Sequence, residues 1–277
     1  MSRVQLVHYA FDNKADLLNE GSYAEIYRAY DTKHKRHVAL KILRPRLEVD
    51  PYAYERFERE AQYMAALQHP SIPLFYEYGT HQHTRYFTME YILGTTLLEL
   101  AQHTSFTIDD GIHVATQLAE TLAFLHGKGF LHRDVKPGNV MVLRNKSIKL
   151  LDFGIAFREG DKPLEDERVV AFSVRWAAPE VISRERIDKQ SEVFSYGGVL
   201  YYVFTGRVPF PGNSFPEVYI NILDGKLQRP SKLRNDLPAR LDDFIMRCMH
   251  LTPSMRYSDG IEVQRALEDI CHDLGRR

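Results

Sequence analysis

The chain has 277 residues, enough to bury a sizeable core in one large domain or in two lobes. Lys and Arg (36) nearly balance Asp and Glu (37), which excludes the broad basic field that draws proteins to nucleic acid or anionic membrane. Two cysteines, Cys248 and Cys271, give neither a disulfide framework nor a thiolate metal site, and a reducing cytoplasm is expected.

Elements follow in chain order. Met1 to Ala10 has no apolar signal core. Ile26, with Arg28 two positions on, and Val38-Ala39-Leu40-Lys41-Ile42 alternate as strands, with Ala39 and Lys41 on one face. Phe57, Ala61, Met64 and Leu67 or Gln68 recur at helical spacing from about Tyr54, and His69-Pro70 ends that helix. A strand pair is predicted around Leu74 to Tyr78 and Arg85 to Tyr91. After Gly94 the pattern turns helical, with one stripe of Ile112, Ala115, Leu118, Ala119, Leu122 and Leu125. An apolar hairpin, Val140 to Leu143 and Ile148 to Leu151, turns at Asn145-Lys146. Further helices are predicted near 193–205, 239–250 and 258–272, and the most apolar window, Val193 to Phe204, is too short to cross a bilayer. His34 with His37, and His81 with His83, lack partner ligands at metal-site spacing and read as loop residues. No repeat or linker divides the chain, so residues 1–277 read as one catalytic unit, with an N-lobe of about 1–92 and a C-lobe of about 93–277.

His132-Arg133-Asp134-Val135-Lys136-Pro137-Gly138-Asn139, followed by Asp152-Phe153-Gly154, sets two carboxylates, a lysine and an asparagine at the spacing that phosphoryl transfer needs. Over roughly residues 9–272 the chain resembles the Ser/Thr protein kinase family of the eukaryotic-like, bacterial type. The resemblance implies an α+β, two-lobed fold: a small antiparallel sheet with one regulatory helix, then a mainly helical lobe, with a nucleotide between them. It implies transfer of the γ-phosphate of ATP to protein Ser/Thr hydroxyls, autophosphorylation included, with Mg2+ and with Mn2+ as an alternative.

The resemblance assigns roles residue by residue. Asp134 is the catalytic base, Asn139 and Asp152 hold the metal, and Lys136 stabilises the γ-phosphate. Lys41 contacts the α- and β-phosphates with Glu60 as its helix partner, while Glu55 and Glu58 look solvated. The phosphate-covering loop, Leu18 to Ile26, includes Gly21 and Ser22 but has Asn19 and Ala24 where the family has glycine, Asn19 tolerating positive φ. Ile26 and Ala39 above and Met141 below enclose the adenine; Glu90 and the Tyr91-Ile92 backbone supply hydrogen bonds, and Met89 guards the back. Met64, Phe75, His132 and Phe153 match the family's aligning stack, and Glu180 pairs with Arg256.

Departures from the family carry information. The stretch 155–172 contains no Ser, Thr or Tyr, so Glu165, Asp166 and Glu167 are read either as an acidic stand-in for an activating phosphate on Arg133 or as a solvated loop. Ser173 is read either as supporting hydroxyl-bearing substrates or as a plain loop residue. Glu192 replaces an aspartate that accepts hydrogen bonds from the catalytic loop. With the thinned glycine loop, this keeps open the alternative of a pseudokinase, a nucleotide-binding scaffold that holds a signalling partner. A small-metabolite kinase is disfavoured by Lys136 and by Glu180 with Arg256. Substrate identity, activating signal and oligomeric state cannot be read from the sequence.

Overall fold

A computed structural model describes residues 3–47, 50–163, 174–185 and 187–275. The chain divides into two compact units, Met1–Leu93 and Gly94–Arg277.

The first unit is an antiparallel sheet with one long helix. Its strands are β1 (Arg3–Leu6), β2 (Tyr9–Asp12), β3 (Leu17–Glu20), β4 (Ala24–Asp31), β5 (Arg36–Leu43), β6 (Phe75–His81) and β7 (Thr84–Glu90). They run in the order β1-β2-β4-β5-β7-β6, with β3 paired to β4. Helix α1 spans Pro51–Ala66, a few residues earlier than the apolar stripe alone indicates. The signal for that start is Asp50-Pro51: the Asp50 carboxylate caps the N–H groups of Tyr52 and Ala53, and proline suits the first helical turn. β5 is buried on both faces. Val38 and Leu40 join Tyr9, Phe11, Tyr27 and Tyr86 in one cluster, while Leu43 meets Ala53, Phe57 and Ala61 of α1 in another.

The second unit is mostly helical. Strand β8 (Gly94–Thr96) pairs with β10 (Val140–Leu143), which also pairs with β11 (Ile148–Leu150). The short β9 (Phe130–Leu131) pairs with β12 (Phe157–Arg158). The helices are α2 (Leu97–His103), α3 (Ile108–Gly127), α4 (Pro179–Ile182), α5 (Lys189–Thr205), α6 (Phe215–Leu223), α7 (Ala239–Cys248) and α8 (Gly260–Asp273). The predicted α3 stripe is buried throughout. Two glycines allow helices to close on one another. A Cβ on Gly197 of α5 would lie 2.6 Å from Met249 Cγ, and one on Gly260 of α8 would lie 2.5 Å from the α3 backbone.

The sequence reading did not specify β1 and β2, the short strands β8, β9 and β12, or the helices α2, α4 and α6. Helix α6 buries only Val218 and Ile222, so its pattern is weak, although Ser214 accepts a hydrogen bond from the Glu217 N–H as an N-cap. The run Glu165 to Glu167 and Ser173 lie outside the described residues.

Candidate active site

The second unit carries the carboxylates. Strand β9 delivers the chain to His132, and Arg133 then takes a left-handed conformation at φ 67°. Such backbone is costly for a residue with a Cβ, on the order of 1–3 kcal/mol, and persists only where its surroundings fix it. Here Glu192 of α5 fixes it, because one carboxylate oxygen accepts the Arg133 N–H. The other oxygen accepts from His126 Nε2 at 2.8 Å, while His126 Nδ1 accepts the Gly260 N–H at 2.8 Å. The Gly260 contact places the His126 proton on Nε2, the atom facing Glu192. Thus the longer side chain of Glu192 still reaches the loop, and a buried histidine on α3 holds it there. Sequence reading passed over His126, which sits among the apolar residues at the end of the α3 stripe.

His132 is pinned in the same manner. Its Nδ1 accepts the Asp134 N–H at 3.2 Å, so Nε2 donates to the Leu151 carbonyl at 3.0 Å, and its ring meets Phe153 edge-on at 4.6 Å. Asp134 is therefore oriented by its own backbone neighbour and by two side chains. Lys136 Nζ lies 2.5 Å from Asp134 Oδ2, and Asn139 Nδ2 donates to the same oxygen at 2.8 Å and to the Asp134 carbonyl at 2.9 Å. Since both acceptors are oxygens, only the NH2 face of the Asn139 amide can meet them. Asp152 is exposed at φ 64° and accepts the Gly154 N–H at 3.3 Å. Met141 is half-buried on β10. A cavity of about 20 Å³ lies behind the loop, lined in part by Arg133, Asp134, Trp176 and Glu192.

Glu180 and Arg256 form a bidentate pair at 2.6 and 2.9 Å. Ser191 Oγ donates to Glu180, and Arg256 also donates to the carbonyls of His250, Gln190 and Leu251. Burial pushes the Cys248 thiol up, away from thiolate chemistry.

In the first unit, Lys41 Nζ lies 2.5 and 2.7 Å from the two Glu60 oxygens, and both residues are buried. Glu55 is exposed beside Arg59. Glu58 is not merely solvated, because it accepts the hydroxyls of Tyr54 and Tyr78 at 2.7 and 3.2 Å. In the β3–β4 hairpin Leu18 and Ser22 are exposed, and Ile26 pairs in register with Lys41. Neither Asn19 nor Gly21 has positive φ, so replacing glycine at position 19 carries no left-handed penalty. Arg44 fastens this hairpin, donating to the Gly21 carbonyl at 2.9 Å and to Glu20 at 2.8 Å, a tie that sequence reading missed. Ala39 is buried and pairs in register with the partly buried Met89; Ile92 is buried. The Glu90 N–H donates to the Leu74 carbonyl at 2.8 Å. Met64 is buried and Phe75 packs against the α1 cluster.

A strand-borne lysine paired to a helix glutamate, a supported aspartate and a kinked second aspartate together define a protein kinase domain: the chain belongs to that family, whose model matches residues 13–272. Among its relatives is serine/threonine-protein kinase PknB of Mycolicibacterium smegmatis, 34% identical over 260 residues, covering 91% of this chain and 41% of that protein. A probable serine/threonine-protein kinase of Clostridium acetobutylicum is 32% identical over 251 residues, covering 90% of this chain and 38% of that protein. One of Streptomyces coelicolor is 33% identical over 259 residues, with 91% and 38% covered. The chain thus spans about two fifths of the length of the curated relatives it matches. Among the described residues, no helix is long and apolar enough to cross a membrane.

Proposed function

We propose that this chain transfers the γ-phosphate of ATP to Ser and Thr hydroxyls of proteins, itself among the acceptors. The observation that carries this reading is the Asp134 carboxylate, held at Oδ2 by both Lys136 and Asn139. In this reading Asp134 accepts the proton of the substrate hydroxyl and aims its oxygen. Lys136 neutralises charge beside the base, where the γ-phosphate is received. Lys41 receives the α- and β-phosphates, and Glu60 positions it. The β3–β4 hairpin, around Gly21, covers the phosphates, and Ile26, Ala39, Met89, Ile92 and Met141 supply the apolar surface for the base.

The donor set fits a hard cation. The Asn139 NH2 is committed to Asp134, which turns the amide oxygen toward other partners, and Asp152 offers an exposed carboxylate. When bound there, Mg2+, or Mn2+ as an alternative, would offset the charge on the phosphate oxygens. Glu192 keeps its contact with the Arg133 N–H, which removes the main ground for a non-catalytic scaffold. Cys248 and Cys271, which form no disulfide, support a cytoplasmic setting.

The test is incorporation of labelled phosphate from ATP with magnesium, into the chain and a generic protein acceptor, with phosphosites mapped. Wild type should label Ser or Thr, and Asp134→Asn should lower the rate by at least roughly a hundredfold. Wild type that is stabilised by ATP yet transfers nothing would return the scaffold reading.

A further inference from the structure

At one end of the first unit's sheet two hairpin turns meet. His8 sits in the β1–β2 turn, Asp31 ends β4, and His34 sits in the β4–β5 turn. The turns are clamped together, because the Thr32 N–H and hydroxyl both donate to the His8 carbonyl, at 3.0 and 2.8 Å. The Asp31 carboxylate is only 1% exposed. Burial alone would raise its pKa, but the His34 backbone N–H, the His34 ring and His8 outweigh that and hold it below the usual carboxylate range.

Turn formation explains part of this cluster. Asp31 Oδ1 accepts the N–H groups of Lys33 and His34 at 3.0 Å each, and Oδ2 lies 2.8 Å from His34 Nδ1. It does not explain His8. Its Nε2 is buried, 3.6 Å from Asp31 Oδ1, and has no hydrogen-bond partner, an arrangement that native proteins seldom keep without a ligand or ion.

The geometry points to a metal site: we propose that His8 Nε2, His34 Nδ1 and the Asp31 carboxylate bind a late first-row divalent cation, with Zn2+ as its representative, tying the two turns together. The three ligand atoms lie within 4.8 Å of one another, the one such cluster among the described residues. His8 Nε2 lies 3.6 Å from Asp31 Oδ1 and His34 Nδ1 2.8 Å from Asp31 Oδ2, against roughly 3.4 Å between ligands of a tetrahedral zinc ion with bonds of about 2.0–2.1 Å, so the His34 contact opens by about half an ångström when the ion binds. Solvent supplies the fourth ligand. Two imidazoles and one carboxylate select this class of ion over Mg2+, which prefers oxygen. One charge competes: Arg36 Nε lies 3.7 Å from Asp31 Oδ2, with its guanidinium over the Tyr76 ring at 3.5 Å. The site is therefore of moderate affinity. His34 was expected to be a plain loop residue because, although Asp31 is three positions away, His8 is remote in sequence; the sheet brings it to them.

The test is titration of the metal-free full chain with Zn2+, without nucleotide or magnesium, read by calorimetry and by the rise in Tm. Co2+ serves as a spectroscopic probe of tetrahedral coordination. One equivalent should bind and raise Tm. His8→Gln and His34→Gln should each weaken binding by roughly tenfold or more, while the pair His81→Gln and His83→Gln should leave it unchanged. Absence of saturable Zn2+ binding in wild type, or binding as tight in His8→Gln as in wild type, would overturn the proposal. His8→Gln decides between the outcomes if His34→Gln fails to fold, since the His8 ring has no hydrogen bond to lose. Phosphate transfer by Asp134 does not enter this measurement, so the two readings stand or fall separately.

Discussion

Each unit buries an ion pair, and the two are built differently. In the second unit Arg256 is fully buried, its planar fork matched in two bonds to Glu180 and its remaining donors spread over three backbone carbonyls, with the face of Phe194 4.9 Å away. In the first unit Lys41 is a compact charge on a flexible stem, and Glu60, on a different element, grips it with both oxygens. An arginine committed to fixed backbone acceptors can only be structural. A lysine's compact charge on a flexible stem can be re-aimed when the helix that carries Glu60 moves.

That contrast can be broken most forcefully at Arg256. Arg256→Met should cost about 3–5 kcal/mol, because Glu180 is left buried and uncompensated; equilibrium urea unfolding of the second unit's signal measures it. The double change Arg256→Met with Glu180→Leu should recover little of that loss, since the carbonyls of His250, Gln190 and Leu251 stay without their donor. At the other pair the outcome should differ. Lys41→Met alone should destabilise by a few kcal/mol, whereas Lys41→Met with Glu60→Leu should return close to wild-type stability while phosphate transfer stays lost. Equal recovery at both pairs would erase the distinction.

A third pair sharpens the scale. Asp242 is 4% exposed, but its partner Arg229 is 44% exposed. Burial would raise the Asp242 pKa, yet the Ser231 backbone N–H, Arg229 and the Ser231 hydroxyl prevail and hold it below 3.8. Because the folded value is depressed, its contribution is present above about pH 4 and is lost as pH falls through the lower, folded value. Asp242→Asn should therefore reduce stability at neutral pH and flatten its decline below pH 4, seen in thermal melts across an acid series. This should be the smallest effect of the three, since one end of the pair is in water.

What the sequence made legible was local. The hairpin of β10 and β11 and the stripe of α3 could be read because apolar spacing and turn residues lie within a few positions of each other. The spacing of Asp134, Lys136, Asn139 and Asp152 stood out for the same reason. What escaped depends on the backbone path. Strands β1 and β2 meet in a turn that puts Val7 at φ 57°, where a β-branched residue gives no turn signal. The support of Glu192 by His126 joins residues 66 positions apart, and only the packing of α3, α5 and α8 reveals it. Arg44 looked like any basic residue after a strand, and its hold on the β3–β4 hairpin needed coordinates.

Helix α5 has almost no polar face: from Val193 to Phe204 every residue except Ser195 is buried, against neighbours that include α7 and α8. During synthesis it leaves the ribosome before those partners exist. At roughly 5–20 residues per second, the stretch from Thr205 to Gly260 takes about three to eleven seconds to follow. For that interval α3, already made, can cover one side of this greasy, aromatic-rich segment, while the side that α7 and α8 later cover stays exposed. Chaperone occupancy on translating chains should therefore peak after α5 emerges and fall once α8 is complete.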